Sequence, residues 1–337
     1  MSDVLKSIKL AAAQVGSVFL DRNATVEKAC HMIREAGANG ADIIGFPENF
    51  IPAHPSWYMF MPASASASLQ LARRMFQNAV EIPSPATDAL CVACREAGIT
   101  AVIGMVEKRP NTTGTMYSTQ LFIGSDGNIL GKHQKLVVTS GERLVLTGGF
   151  GDTLTPFTTE FGNVSGLVCG ENSNPLATYA ILAKNTVVHI AAWPSHFGAG
   201  VKMIDSISAA SRGIAYSLSA FVINSTGVIT DEAIETYAQN DDDRAFLEAA
   251  RQHGTASIVG PTGTMIAEAE TGEEQIVYAD VDLNDVLIPK LFHDFSGHYN
   301  RFDIFSVNIN RNAPQPLNEI NAPMPPSEPM EPVDDGD

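Results

Sequence analysis

The chain holds only four cysteines in 337 residues, Cys30, Cys91, Cys94 and Cys169. That is too few for a disulfide framework at this length. Positive charge is also short: 21 Lys and Arg stand against 38 Asp and Glu, for a net charge of −17. A general nucleic-acid binder, or a binder of anionic membranes, needs basic faces to neutralise phosphate, so both classes are excluded. No apolar run approaches the roughly 18 residues that span a bilayer. The opening MSDVLKSIKLAAAQVG turns polar too soon for a secretory signal. These absences lead to the expectation of a soluble, cytoplasmic protein. What is present is an ordinary globular balance, 45% hydrophobic and 18% charged.

Periodicity alternates between strand-like and helix-like segments. SIKLAAAQV, ADIIGFPE, ITAVIGMVEKR, MYSTQLFIG, NVSGLVC, VVHIAAWP and FVINSTGVI read as strands. ATVEKACHMIREAGANG, SLQLARRMFQNAV, PLATYAILAKN, MIDSISAASRGIAYSL and NDDDRAFLEAARQHG read as helices. SDGN marks a hairpin before NILGKHQKL, and TASIVG, TGTMIAEAE and EQIVYADVD close the series as strands. Helices mixed with both isolated strands and hairpins predict an α/β fold with a mixed sheet. Residues 1–310 read as one domain. From Ala313 onward seven prolines and six acids occur with no Lys or Arg, so residues 311–337 are expected to be a Pro-rich acidic tail, either disordered or laid on another subunit.

The CVAC pair, Cys91 and Cys94, suggests a metal or redox site. It lies in TDALCVACREAGI, which has helical spacing, and no second pair completes a zinc site, so core packing is the better reading. Three other reactive residues each stand where a strand ends: Glu48 in ADIIGFPENF, Lys135 in GKHQKL and Cys169 in GLVCGEN. In α/β sheets, ligand sites gather beyond the carboxyl ends of strands. A thiol, a carboxylate and an ammonium brought together there would make a nucleophile, its base and a stabiliser of negative charge. Each alone has a plainer explanation, as space filler, helix cap or solvated turn.

Taken as a set, these motifs resemble the nitrilase superfamily of carbon–nitrogen hydrolases. FPE (46–48) resembles its glutamate motif, HQKL with the following GER (133–143) its lysine motif, and CGEN (169–172) its cysteine motif. AAWPSHF (191–197), SRGIAYSLSAFVINSTGV (211–228) and GHYNRFDIF (297–305) are similar to later segments of its nitrile-active branch. The resemblance implies an αββα sandwich with mixed sheets, a homodimer extending to spiral oligomers, and no metal or cofactor. It implies nitrile hydrolysis to acid and ammonia through a Cys169 thioimidate and thioester, with Glu48 as base, Lys135 as stabiliser and Glu142 as a fourth site residue. An amidase, or a hydratase releasing amide, is the alternative on the same scaffold; a non-catalytic assembly protein is the reading from another class.

Two positions depart from the family pattern. Gly170 stands where Trp is common in this branch, and Val137-Val138-Thr139 replaces Pro-Thr after the lysine motif. Trp57, Tyr58, Gly170, Trp193 and His196 are the expected substrate-binding residues, with ordinary core aromatics as the competing explanation. A Cys–His hydrolase built on His133 or His196 would need its own pattern around the cysteine, and CGEN is not one.

Overall fold

Side-chain alternation along the first strand sets the architecture. β1 (Ser7–Val15) sends Ile8, Leu10 and Ala12 into one apolar cluster and Ala11, Ala13 and Val15 into another. Successive strand residues face opposite ways, so a strand apolar throughout lies between two layers. The computed structural model describes residues 6–196, 202–252, 255–314 and 317; Phe197 and most of the Pro-rich tail lie outside the described residues.

In chain order the other strands are β2 (Ile43–Gly45), β3 (Thr100–Lys108), β4 (Met116–Ile123), β5 (Ile129–Gln134), β6 (Phe157–Thr159), β7 (Gly162–Val168), β8 (Thr186–Trp193), β9 (Phe221–Gly227), β10 (Ser257–Val259), β11 (Met265–Glu268) and β12 (Gln275–Asp282). The helices are α1 (Arg22–Ala38), α2 (Ser66–Asn78), α3 (Pro85–Ala97), α4 (Pro175–Leu182), α5 (Met203–Leu218), α6 (Asp231–Tyr237), α7 (Asp241–Arg251) and α8 (Leu287–His293). Hydrogen bonding runs β5-β4-β3-β2-β1-β9-β8-β7-β6, with β12 beside β1, β10 beside β9, and β11 beside β10. β1 meets β9 only over Gln14 and Val15, whereas it pairs with β12 from Ser7 to Gln14. The path therefore divides into two mixed halves, β5-β4-β3-β2-β1-β12 and β6-β7-β8-β9-β10-β11.

Four layers follow from where the apolar side chains go. Ile33 and Ala36 of α1 and Leu90 and Ala93 of α3 pack on Ile44, Ile103 and Leu121 of the first half. Between the halves, Val102 and Phe122 meet Val164, Ile190, Phe221 and Ile258. Ile181 of α4 and Ile214 and Leu218 of α5 cover Leu167, Ala191 and Val222 of the second half. The order is helix, sheet, sheet, helix, an αββα sandwich. Each large aliphatic or Phe side chain so buried contributes roughly 1.5–3 kcal/mol. Gln120 links the sheets, its Nε2 donating to the Ile190 carbonyl at 3.1 Å.

Cys91 and Cys94 lie on α3, with Cys94 buried against α1 as packing predicts. The strand expected over ADIIGFPE is shorter than its apolar run. Phe46 still donates to the Val102 carbonyl at 2.9 Å, but Pro47 has no N–H and the ladder stops. The chain then folds down over β3, and Gly104 makes room for it: a Cβ there would lie 1.8 Å from the Pro47 carbonyl oxygen. Residues 231–237, to which the sequence reading assigns no element, form α6, capped by Thr230 and buried through Ala233, Ile234 and Tyr237.

Gly104→Ala is expected to lower the urea midpoint by the equivalent of about 1–3 kcal/mol. Gly213→Ala, an exposed position inside α5 where a Cβ meets nothing within 4 Å, is the control. Helix propensity predicts that it raises the midpoint. Equal midpoints for the two variants would contradict the close approach at Gly104.

Candidate active site

β5 ends at Gln134, and the next residue is Lys135. Its amide donates to the Ser118 carbonyl at 2.8 Å, so the strand geometry still fixes its backbone. The side chain is wholly buried, which a lysine tolerates only when paired. Nζ donates to Glu48 Oε1 at 2.7 Å and to Glu142 Oε2 and Oε1 at 2.7 and 3.0 Å. Glu48 arrives on the loop after β2, where its amide donates to the Trp193 carbonyl of β8 at 3.3 Å. Glu142 sits in a short 3-10 turn, Ser140–Leu144, and its carboxylate also caps that turn by accepting from the Thr139 amide at 2.6 Å. Neighbouring Arg143 does not pair with Glu142; its Nε donates to the Val138 carbonyl.

Cys169 ends β7 and opens the 3-10 turn Cys169–Ser173 with a left-handed φ of +51°. Such a conformation costs a non-glycine residue about 1–3 kcal/mol unless its surroundings hold it. Here they do. Glu171 accepts from the amides of Val168 (3.0 Å) and Leu136 (2.6 Å) and bonds His133 Nε2 at 3.1 Å, which ties the cysteine turn to the lysine strand. Asn172 Nδ2 donates to the carbonyls of Leu167 and Cys169. Its Oδ1 must then accept from His189 Nε2 at 2.8 Å, leaving His189 Nδ1 to accept from the Ser165 hydroxyl. Burial, with His133 nearby, lowers the His189 pKa to about 3, so this ring is neutral and the network has one sense.

The electrostatics separate the two carboxyls. Burial pushes Glu48 up to about 7, with the Glu142 charge adding to it and the Lys135 charge opposing. Burial would raise Glu142 as well, but the His54 hydrogen bond and the Lys135 charge hold it below the usual carboxylate range. For Lys135, burial works against the ammonium and the two carboxylates more than offset it, so the group stays cationic. Burial also raises the Cys169 thiol, with Glu48 adding and Lys135 and the Gly170 amide opposing. The resting site therefore holds a protonated thiol, an ammonium, one firm carboxylate and one carboxyl poised near neutrality.

The other sequence-predicted residues are placed unequally. Gly170 is exposed beside the thiol, and a Cβ there would meet nothing within 4 Å. Trp193 packs in the same apolar cluster as Cys169, with its indole donating to Asn224 Oδ1 at 3.1 Å. Trp57 is wholly buried, and half-buried Tyr58 packs beside it and against Gly141 of the Glu142 turn. His196 sits among Phe60, Tyr237 and Phe246, and burial brings its pKa down to about 3. Together with Glu48, His54 and Ser56 it lines a small cavity of about 40 Å³. Sequence reading missed His54, whose Nε2 lies 2.8 Å from Glu142 Oε1.

Glu48, His54 and Glu142 present three metal-capable atoms within 4.8 Å of one another. The Lys135 ammonium already bonds both carboxylates, and a second cation there would be repelled. A far larger groove, about 1110 Å³, runs between α4, α5 and residues 295–307. It begins at Asn172 and Ser173, but Glu48, Lys135, Glu142 and Cys169 do not line it.

Comparison with known proteins agrees with this architecture. A family described as Carbon-nitrogen hydrolase matches residues 9–287, and the chain belongs to that family. Within it the chain falls in the nitrilase branch of the nitrilase superfamily. It is 33% identical to a nitrilase of Bacillus sp. (strain OxB-1) over 315 residues, 93% of this chain and 91% of that one. An aliphatic nitrilase of Rhodococcus rhodochrous is also 33% identical, over 94% of this chain and 87% of its own. An arylacetonitrilase of Aspergillus niger is 33% identical over 91% and 93%. Among solved structures, Saccharomyces cerevisiae Nit3, a member of branch 10 of the nitrilase superfamily, superposes with a TM-score of 0.66 at 20% identity, covering 86% of this chain and 96% of that one. A carbon-nitrogen hydrolase from Helicobacter pylori gives 0.66 at 16% identity, over 85% and 93%.

Proposed function

We propose that this chain is a nitrilase, converting an organic nitrile and two waters to a carboxylic acid and ammonia. The observation that carries the reading is Lys135 Nζ held at 2.7 Å from both Glu48 and Glu142, next to a cysteine in a strained turn. A thiol raised by burial supplies little standing thiolate, so its proton must leave as the sulfur attacks. Glu48 takes that proton while sulfur bonds the nitrile carbon. The ammonium of Lys135 protonates the nitrogen as charge builds on it, and Glu48 returns its proton to the lysine, giving a neutral thioimidate. Removing a donor of this kind costs on the order of 2.7–4 kcal/mol of barrier.

Water then adds to the thioimidate carbon with Glu48 as base. Proton return to nitrogen expels ammonia and leaves a thioester, which a second water cleaves to the acid and the free thiol. Expulsion of sulfur at the first tetrahedral stage would instead release an amide. Ammonia, acid and amide followed together from aliphatic and aromatic nitriles test the reading. Acid and ammonia in equal amounts, lost in Cys169→Ala, are expected. Because Glu48 acts as base only when ionised, kcat/KM should rise with pH through a limb near 7. Turnover of amides alone would move the chain to amidase chemistry, and a rate flat from about pH 5 to 10 would remove Glu48 as the base.

The open space at Gly170 supports a wide approach to the thiol. Gly170→Trp should fold normally and shift selectivity from bulky aryl nitriles toward short aliphatic ones, by roughly 10–200-fold in kcat/KM ratio. An unchanged ratio would mean that substrate approaches from another side.

We also propose a homodimer, able to extend into spirals, in the cytoplasm. Leu291 and Phe292 of α8 are 75% and 72% exposed, and Phe302 and Phe305 are 62% and 66% exposed beside the large groove. Exposed apolar side chains of this size favour an interface. Light scattering should give a multiple of the 36.0 kDa chain mass, falling to that mass in Leu291→Asp/Phe292→Asp. A wild-type monomer would remove the proposal.

A further inference from the structure

His54 lies six residues past Glu48, in the loop IPAHPSW, and its ring is held at both nitrogens. Nε2 is 2.8 Å from Glu142 Oε1 and 4.0 Å from Glu48 Oε2, while Nδ1 is 2.8 Å from the Ser56 hydroxyl oxygen. The Ser56 amide donates to the His54 carbonyl at 2.9 Å, closing the local turn, and the Tyr237 hydroxyl donates to the same carbonyl at 3.2 Å. The imidazole is only 9% exposed. Glu142 is thus gripped from two sides, by Lys135 and by His54, and its Thr139 cap fixes a third direction.

These partners suit two charge states. Glu142 is a firm carboxylate and can only accept, so Nε2 must carry a proton toward it. Nδ1 can accept from the Ser56 hydroxyl when the ring is neutral, and donate to that oxygen when it is cationic. Gaining or losing a proton therefore breaks no hydrogen bond. Around the ring stand Glu48 from the loop after β2, Glu142 and Lys135 from the lysine segment, His196 from the end of β8 and Tyr237 from α6. Neutral His196 and un-ionised Tyr237 add no charge, so the carboxylates and the lysine set its field.

We propose that His54 is a positioning residue for nitrile hydrolysis: through Nε2–H it aims and charges Glu142, so that Glu142 holds Lys135 against Glu48 and the reacting nitrogen. This rests on the assignment of Cys169, Lys135 and Glu48 above, and it adds a fourth arm that acts through Glu142 and, from 4.0 Å, on the Glu48 carboxyl. The Glu142 carboxylate fixes the ring's tautomer, and the Ser56 hydroxyl, able to donate or accept, follows it.

The test compares His54→Leu and His54→Gln with wild type over a full pH range. The leucine variant should lose roughly 10–100-fold in kcat, the usual cost of removing a group that orients a reacting one. Its KM should change less than about threefold, since ground-state binding is untouched. Its acid limb should move to higher pH, because His54 lowers the Glu48 carboxyl. Glutamine, which can donate from the Nε2 position, should recover most of kcat. A folded leucine variant with wild-type kcat and acid limb overturns the proposal, as does a stability loss with no movement of the limb. Should both variants fail to fold, the tautomer of His54 in Cys169→Ala protein, read by nitrogen-15 NMR, decides: a proton on Nε2 is required, and a bare Nε2 in neutral His54 rules the role out. That readout needs no turnover, so it separates failure of the His54 role from failure of the nitrilase reading.

Discussion

One ammonium lies between two carboxylates, away from water, and the rest of the site is arranged around that imbalance. Each buried ion gives up roughly several kcal/mol of hydration, so Lys135 cannot stay charged without both partners. One positive charge cannot fully compensate two negative ones, however. The two carboxyls are forced apart in proton affinity: Glu142 accepts from Lys135, His54 and the Thr139 amide and stays ionised, while Glu48 receives Lys135 on a single oxygen and rises to about 7. Like charges sharing a site routinely resolve in this way. The number of donors aimed at each carboxyl decides which one becomes the movable proton acceptor.

Holding that cluster requires backbone that regular strands do not supply. Seven non-glycine residues among those described have positive φ, and three of them, Asn49, Ser140 and Cys169, directly follow Glu48, open the Glu142 turn or carry the thiol. Each converts the end of an extended segment into a sharp turn, so that a side chain projects beyond the sheet instead of along it. At Cys169 the strain is held by hydrogen bonds from neighbouring polar groups. Glu171 spans the cysteine turn and Leu136, and Asn172 locks the Cys169 carbonyl through a neutral His189. Polar residues that touch no substrate still fix where the thiol and the lysine stand.

Much of this was legible in sequence, for identifiable reasons. The strand SIKLAAAQV, the paired helices and the mixed order of strands carry strong periodicity, and β1 falls on the predicted residues. Glu48 and Lys135 were legible because each belongs to a compact motif at a strand end, and Glu142 because its GER resembles the close of the family's lysine motif; the structure brings these three together. His54 was not, because a histidine in a Pro-rich loop has no period and its partner is 88 residues away. α6 is seven residues long, too short for a helical period to rise above its acidic composition. Trp57 and Trp193 could not be sorted between pocket and core by type; only packing distinguishes an indole facing a neighbour's amide from one facing a ligand.

The placement of open space completes the logic. Next to Glu48 lies a cavity of about 40 Å³ lined in part by Phe19, Phe50 and Tyr237, and the Tyr237 ring stacks on Phe60. Gly170, next in the chain to buried Cys169, is exposed, and a glycine whose Cβ would touch nothing is not required by the backbone. The polar network can remain fixed while position 170 varies. Residue 170 can thus change size without disturbing the lysine and its carboxylates, whereas a change at Glu171 or Asn172, one and two residues later, would release the turn itself.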